Sequence, residues 1–168
     1  MENNTTRIKQ SLGEHYHNIG TKMAPNEGKF QVDYSREFYL FDVVPVGAPR
    51  MTQSDKWKSD PNHSDPKRRK RATVQNYHEF KDAIKAQAGK MSFELGDYFD
   101  VVFFLSMPAS WSNKKKEREN GLPCRVKPDF DNLVKCIGDT FRPENDSAIW
   151  KCGTEKRWAY KSSILIYV

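Results

Sequence analysis

The apolar positions of this chain change their spacing along its length, and the spacing predicts strands that alternate with helices. Residues 37–46 (EFYLFDVVPV) and 97–107 (DYFDVVFFLSM) are rich in β-branched and aromatic side chains, which is typical of buried strands. Between them, residues 72–90 place apolar side chains three or four positions apart, the period of an amphipathic helix. Residues 131–141 repeat that period over a shorter length and predict a second helix.

Weaker patterns before and after these segments add further strands. Residues 30–34 alternate between apolar and polar side chains and permit a short strand. Residues 147–152 and 162–168 have the composition of two last strands, which we expect to pair as a hairpin around 153–161. The whole pattern predicts a single domain of the α/β (α+β) class, with a mixed β-sheet of about four to six strands and two main helices.

Composition divides the 168 residues into an arm and one folded domain. Residues 1–35 show little periodicity and are predicted to form a flexible or partly ordered arm, whereas 36–168 are long enough to bury a core. The apolar fraction of 37% is low and the net charge is +6. This balance favours an anionic partner, above all nucleic acid.

Targeting signals and cysteines bear on location. No apolar run approaches the roughly eighteen residues of a membrane-spanning helix, and the N-terminal MENNTTRIKQ lacks the apolar centre of a signal peptide. Cys124, Cys136 and Cys152 are not closely spaced, which favours reduced thiols over disulfides or a zinc site. We therefore expect a cytoplasmic protein without a membrane partner and without a small-molecule cofactor.

The most informative stretch is KPDFDNLVKCIGDTFRPENDSAIW at 127–150, because it gathers carboxylates around one lysine. Asp129 and Asp131 follow a proline, Lys135 comes one helical turn after Asp131, and Asp146 follows the helix and a turn. Close carboxylates repel each other unless they share a cation or a proton, and hard cations prefer oxygen ligands. If the strands on either side of the helix are neighbours, the three acids meet at one end of the sheet. Such a site would bind Mg²⁺ and hydrolyse a phosphodiester, with Lys135 neutralising charge on the phosphate.

Ordinary structural roles account for the same residues equally well from spacing alone. Asp131 could cap the helix, and Asp129 and Asp146 could be turn residues. Lys135 could pair with Asp131 and with Asp139, which lies two turns along the same helix face. Spacing decides neither between these roles and a metal site nor between one metal ion and two.

Two basic loops accompany the acidic stretch. Residues 50–71 carry eight Lys or Arg against three Asp, and residues 111–127 carry six against two Glu. Positive charge spread this widely suits the phosphates of a nucleic-acid backbone, although solvated loops would have the same composition. Trp57 and Trp111 are candidates for stacking on bases, whereas Trp150 is expected in the core. The expected DNA contacts are Arg50, Lys56, Lys58, Arg68, Arg69, Lys114, Lys115, Lys116 and Lys127.

The acidic block KPDFDNLVK, with an aspartate further along the helix, resembles the signature of the RusA family of Holliday junction resolvases. MPASWSNKKKEREN and PVGAPRMTQSDKWK are similar to two further segments of phage-type members. The resemblance runs from about residue 37 to the C-terminus and implies a RusA-like fold. It implies essential, metal-binding acids at Asp129, Asp131 and Asp146, a catalytic lysine at Lys135 and an auxiliary or structural aspartate at Asp139.

The resemblance also implies an activity and its partners. Members of the family are Mg²⁺-dependent homodimers that nick a four-way DNA junction symmetrically in recombination and repair, and Mn²⁺ is expected to substitute. The family's acidic pair is Asn145–Asp146 here, so an amide without charge stands in place of the first acid. The basic insertion at 59–71 is also atypical. Two alternatives stay open: a junction-binding protein that has lost catalysis, and a nuclease for flaps or RNA.

Overall fold

The apolar run at 101–105 lies in the strand to which most of the fold attaches. This strand, β2 (Tyr98–Ser106), pairs antiparallel with β4 (Ser163–Tyr167) on one side and parallel with β3 (Lys151–Ala159) on the other. β1 (Phe38–Phe41) pairs antiparallel with β4, which gives a mixed four-stranded sheet in the order β1-β4-β2-β3. The structure is a computed structural model that describes residues 29–58 and 60–168.

Three helices accompany the sheet within the described residues. α1 (Ala72–Met91) and α3 (Phe130–Phe141) carry apolar stripes, whereas α2 (Asn113–Glu119) consists of polar residues. Single turns of 3₁₀-helix lie at Gln53–Lys56, Pro66–Arg68 and Asp146–Ala148. The two long helices match the predicted ones within a residue at each end, because a stripe of spaced apolar residues is a strong signal.

Each face of the sheet has its own apolar cluster, because successive side chains of a strand point to opposite faces. Towards α1 and α3, Phe99 and Val101 of β2 pack with Ile84 of α1 and with Leu133 and Ile137 of α3. On the opposite face, a second cluster surrounds Val102 and Phe104 of β2; its other members are Phe38, Ala159, Leu165 and Tyr167, with Phe30 and Val32 packed against them. The helical face therefore fixes α3, which carries most of the candidate site.

The predicted hairpin between the last two strands is wrong. β3 and β4 are consecutive in sequence, yet β4 lies between β1 and β2, and β3 pairs with β2 at the edge. The segment expected as their connection, 153–161, instead forms most of β3. Its polar sequence is tolerated because an edge strand is half exposed, whereas the apolar β4 is buried at every position.

Three further expectations need correction. Residues 30–34 do not form a strand, although Phe30 and Val32 pack on the sheet. The strand predicted at 37–46 is only four residues long, because the prolines and the glycine that follow oppose pairing. The loop predicted at 111–127 contains α2, which lacks an apolar stripe and so gave no helical signal.

The part of the chain that the structure describes forms a single α+β domain with a mixed four-stranded sheet and three helices, which confirms the predicted fold class. Within the described residues, no helix has both the length and the apolar character needed to cross a membrane. The predicted arm at 1–35 lies mostly outside the described residues.

We predict that Gly153→Ala destabilises the protein by about 1–3 kcal/mol, because added atoms in a packed site force strain. A Cβ at Gly153 would lie 2.2 Å from Oδ1 of Asp100. That oxygen already accepts a hydrogen bond from the Gly153 amide at 3.0 Å, and the other oxygen of the carboxylate binds Arg36 at 2.5 Å. Urea denaturation measures the change in the free energy of unfolding.

Gly89→Ala is the matched control for this substitution. Gly89 lies inside α1 and a Cβ there meets no atom within 4 Å. Alanine favours a helix over glycine by up to about 1 kcal/mol, so this variant should be as stable as the wild type or more so. Equal stability changes in the two variants would contradict the steric role of Asp100.

Candidate active site

Two exposed carboxylates mark the beginning of α3. Asp129 is the N-cap residue of the helix, and Asp131 lies in its first turn. The alternative in which Asp131 caps the helix is wrong, because the N-cap residue is Asp129. The side chain of Asp129 makes no capping hydrogen bond. Both carboxylates are exposed and neither is bonded to another described residue. They are therefore available to a ligand.

The segment before Asp129 is fastened to the edge of the sheet. Residues 121–124 run along the outer side of β3, where the Cys124 amide donates to the Lys156 carbonyl and the Trp158 amide to the Leu122 carbonyl, both at 2.9 Å. The ammonium of Lys156 donates to the carbonyls of Val126 and Pro128, the latter at 2.6 Å. This segment is a loop with a single bridge, not the strand that we expected to lead into Asp129.

Asp139 links α3 to α1. Its Oδ1 accepts a 2.8 Å hydrogen bond from Lys135, its Oδ2 accepts one of 3.1 Å from the hydroxyl of Tyr77, and its carbonyl accepts one of 2.8 Å from Lys81. Burial and the Asp139 charge raise the pKa of Tyr77, so the phenol remains a donor. Tyr77 and Lys81 are spaced one turn apart on α1, but their common partner could not be seen in the sequence. Asp139 therefore has a structural part in the site, and it holds Lys135.

Asp146 approaches α3 beside Gly138. A Cβ at Gly138 would lie 3.9 Å from the Cβ of Asp146 and 3.7 Å from Cδ1 of Ile149, which are ordinary contact distances, so both residues lie directly beside the glycine. Asp131, Lys135 and Gly138 share one face of the helix, since they are four and three residues apart. The hydrogen bond to Asp139 raises the pKa of Lys135, and the charge of Asp146 adds to this effect. The structure thus brings Asp146, Lys135 and Asp139 together.

The donor chemistry fits a hard cation, but the ligands are not gathered at one point. Exposed carboxylates are the oxygen ligands that Mg²⁺ accepts. Asp146 lies against the second half of α3, however, and seven residues of helix separate Gly138 from Asp131, about 10 Å along the axis. Within residues 29–58 and 60–168, no group of three or more acidic, His or Cys side chains is close enough to hold a metal ion. Asp129 and Asp131 are the available pair of metal ligands. Asp146, which follows the helix and lies beside its second half, is the third candidate ligand.

The segment after β1 connects the acids to the first basic loop. The Ala48 amide donates to the Asn132 carbonyl at 2.9 Å, and a Cβ at Gly47 would lie 3.2 Å from Pro128 and 3.3 Å from Asn132. Arg50 follows Ala48 by two residues and begins the loop. Its carbonyl accepts a hydrogen bond from the Arg71 guanidinium at 2.9 Å. Loop 50–71 therefore begins and ends beside the start of α3.

A buried ion pair closes loop 50–71 at its base. Asp55 is almost fully buried and accepts hydrogen bonds from Arg71 at 2.6 and 2.9 Å and from the amide and hydroxyl of Thr52 at 2.7 Å. The hydrogen bonds from Arg71, followed by those from Thr52, hold the pKa of Asp55 well below its usual range. In the sequence, Arg71 is one of several basic residues in the loop. Its contact with the buried Asp55 gives it a structural role that the sequence does not show.

The residues expected to contact DNA differ in their exposure and in the contacts that they already make within the protein. Lys115 lies over the ring of Trp111 at 3.9 Å, and Arg69 donates to the His63 carbonyl at 2.7 Å. Lys116 is half-buried, and Lys58 is half-buried next to the exposed Trp57. The side chain of Lys56 lies outside the described part of the structure. The exposed residues of the set are Arg50, Arg68, Arg69, Lys114 and Lys127.

The exposure of the tryptophans differs in part from the expectation. Trp150 is 72% exposed, so its prediction as a core residue is wrong. It precedes β3, and its ring lies beside that of Tyr98, with 6.0 Å between ring centroids. Trp111 packs on the buried Trp158 at 5.1 Å, which leaves it less free for a base. Trp57 is 84% exposed.

An α+β domain that presents carboxylates and a lysine between basic loops is typical of an enzyme that acts on nucleic acid. The chain belongs to the RusA family of endodeoxyribonucleases: the family model described as endodeoxyribonuclease RusA matches residues 42–168, most of the chain. The comparisons with curated proteins and with solved structures found no match.

We predict that Asp55→Asn loosens loop 50–71 at neutral pH, because the amide cannot accept both Arg71 hydrogen bonds as an ion pair. Trypsin should cut the basic run 67–71 several-fold faster in this variant than in the wild type. Asp65→Asn is the matched control, since asparagine caps as well as aspartate. The exposed Asp65 caps the turn at Lys67 and has only a long contact with Arg68, at 3.9 Å. Equal cleavage rates in Asp55→Asn and Asp65→Asn would contradict the clamp.

The same clamp predicts a dependence on pH. A carboxyl group whose folded-state pKa is depressed contributes stability above its unfolded pKa of about 3.9, and this contribution is lost as the pH falls through the folded value. The difference in unfolding free energy between the wild type and Asp55→Asn should therefore be present at pH 7 and shrink below about pH 4. Thermal unfolding at a series of pH values measures it.

Proposed function

We propose that this protein is a Mg²⁺-dependent, structure-selective endodeoxyribonuclease that resolves four-way DNA junctions by paired nicks. The observation that carries the proposal is the pair of unbonded carboxylates, Asp129 and Asp131, on the helix that also bears Lys135. Membership of the RusA family supports DNA as the substrate. The net charge of +6 supports a polyanion.

The two aspartates stay unbonded although the rest of the loop is fastened, which supports a role outside folding. An N-cap aspartate normally uses its carboxylate to bond the first turn, and Asp129 does not. Like charges on neighbouring residues of one helix terminus cost free energy unless a cation is shared. The positive end of the helix dipole offsets part of that cost. A divalent cation would offset the rest.

The residues of the site would then share the work of hydrolysis. Mg²⁺, when bound, polarises the scissile phosphate and activates a water molecule. Asp129 and Asp131 would bind the ion through their oxygens, and Mn²⁺ would serve in its place. Asp146 lies beside Gly138, about 10 Å further along α3, so it would become the third ligand only after the segment that follows α3 moves towards Asp131. Lys135 would stabilise the charge that grows on the non-bridging oxygens.

Lys135 is poised for this role through Asp139. Its ammonium is more than half exposed and is held by one hydrogen bond, at 2.8 Å. An exposed pair at this helical spacing is worth only about 0.3–0.5 kcal/mol, so a phosphate can replace Asp139 as partner at little cost. Asp139 keeps its bond to Tyr77 in the meantime.

The basic loops and a second copy of the chain would supply the selectivity. Loop 50–71 starts beside the acids and offers cations on a surface wider than one phosphate. A junction has approximate two-fold symmetry, so a symmetric homodimer would present one active site to each of two equivalent strands. Paired nicks follow from that symmetry.

Asp131→Asn should reduce cleavage of a synthetic four-way junction by at least about 100-fold, in line with the loss of one transition-state-stabilising group, while junction binding is retained. Gel analysis with Mg²⁺ should show paired 5′-phosphate and 3′-hydroxyl ends for the wild type. Asp82→Asn, an exposed aspartate on α1, is the matched control for the lost charge. Wild-type cutting by Asp131→Asn would mean that the site is assigned wrongly.

Asn145→Asp tests why an amide precedes Asp146. Asn145 is exposed, and its side-chain oxygen accepts only a weak hydrogen bond of 3.3 Å from Ser147. A second negative charge beside Asp146 should tighten Mn²⁺ binding, measured by titration calorimetry without DNA, and raise the cleavage rate at low Mg²⁺. Asn76→Asp, at an exposed position of α1, adds the same charge on a different element and is the matched control.

The result also separates the two remaining views of the enzyme. If the wild type binds junctions without cutting and Asn145→Asp restores cutting, the natural protein is a junction-binding member with weakened catalysis. If Asn145→Asp changes neither the metal affinity nor the cleavage rate, a second acid beside Asp146 is not required for metal binding or cleavage.

A further inference from the structure

Trp57 has a setting that differs from that of the other tryptophans. Its indole is 84% exposed, in the first half of loop 50–71. A single exposed aromatic residue requires no functional explanation. The surroundings of Trp57 do, because they combine a cavity with a concentration of positive charge.

A cavity of about 440 Å³ lies at this point of the loop. The volume is within the range of small-molecule sites, roughly 300–1,000 Å³. Its lining combines an aromatic face with three cations: Trp57, Lys58, Lys67 and Arg68, together with His63 and Asp60. Among the described residues, an ion-pair partner is found for Arg68, namely Asp65 at a long 3.9 Å, and for neither lysine.

The walls of the cavity are braced by contacts within the loop. The Lys70 amide donates to the Asp60 carbonyl at 3.0 Å, and the Arg69 guanidinium donates to the His63 carbonyl at 2.7 Å. The clamp between Asp55 and Arg71 closes the loop below them. The cavity is therefore preorganised, which lowers the entropic cost of binding.

We propose that this cavity binds one unpaired nucleotide of DNA, with its base stacked on Trp57 and its phosphates beside Lys58, Lys67 and Arg68. An exposed indole can accept only a base whose face is free, and the bases of a duplex already stack on each other. Cations around the aromatic face match the phosphates on either side of that base. The proposal rests on the proposed function, because loop 50–71 starts beside Asp129 and Asp131 and would meet a strand that reaches those acids.

The site therefore selects DNA that is locally unpaired, such as the strands at a branch point or in a gap. Stacking is tolerant of base identity, so the preference is for an unpaired state and not for a sequence. Neither basic loop would distinguish these states by charge alone, because both duplex and single strands carry phosphates.

Fluorescence anisotropy can test the proposal without cleavage, with a chelator present and salt held constant. The probes are a labelled twelve-nucleotide oligothymidine and a blunt duplex of the same length. Trp57→Ala should weaken binding of the oligothymidine by about tenfold, as expected for one lost base–aromatic stack, and change duplex binding less than about twofold. Trp57→Phe should retain most of the affinity, whereas Trp57→Leu, which keeps apolar area but lacks a ring, should not.

Charge controls complete the comparison. Lys67→Gln should weaken both probes, and Lys85→Gln, an exposed lysine on α1, should weaken neither appreciably. The thermal unfolding midpoint of Trp57→Ala should match that of the wild type, because the indole is exposed.

Equal losses of the two probes in Trp57→Ala, or no loss of oligothymidine binding, would overturn the proposal. So would wild-type affinity in Trp57→Leu, since stacking would then not be the cause. These outcomes are separate from the test of the nuclease: if Asp131→Asn abolishes junction cleavage while Trp57→Ala binds normally, only the nucleotide site is disproved. If Asp131→Asn still cuts while Trp57→Ala binds oligothymidine poorly, the nucleotide site stands and the catalytic assignment falls.

Discussion

The burial of one stripe of α3 against the sheet is the constraint on which the candidate site depends. Leu133, Cys136 and Ile137 are fully buried, so the helix cannot rotate without exposing them to water. Burial also raises the pKa of the Cys136 thiol to about 12, which keeps it neutral within that stripe. Asp131 and Lys135 face solvent because the opposite side of the helix is committed to the core. The charged site thus takes its orientation from apolar contacts.

Elements whose own residues determine their environment were predictable, and those that depend on a partner elsewhere were not. α1, β2 and α3 follow from their apolar spacing. The strand predicted at 147–152 was placed too early, because most of β3 (151–159) is polar and its position depends on an edge beside β2. In the site, spacing alone placed Asp131 and Lys135 on one helix face. The approach of Asp146 to Gly138, and the support of Asp139 by Tyr77, arise from contacts between distant segments that no local pattern encodes.

The acids within the basic loop have structural duties, and this changes how its charge should be understood. Asp55 accepts hydrogen bonds from Arg71 and Thr52, and Asp65 caps the turn at Lys67. Composition alone counts these residues as reductions of the positive charge. In the structure they brace a loop that would otherwise repel itself, and so they allow its remaining cations to be concentrated on one surface. The negative residues are therefore part of how a positive surface is built.

The fastening of residues 121–124 along the outer side of β3 has a consequence beyond the position of Asp129. An open strand edge is a template for pairing with other chains, and here part of that edge is occupied by the peptide groups of Gly121, Leu122 and Cys124. If the segment detached, the carboxylates would lose their support and the edge would be free to recruit a foreign strand. The same few backbone hydrogen bonds therefore protect the edge against aggregation and fix the position of the acids.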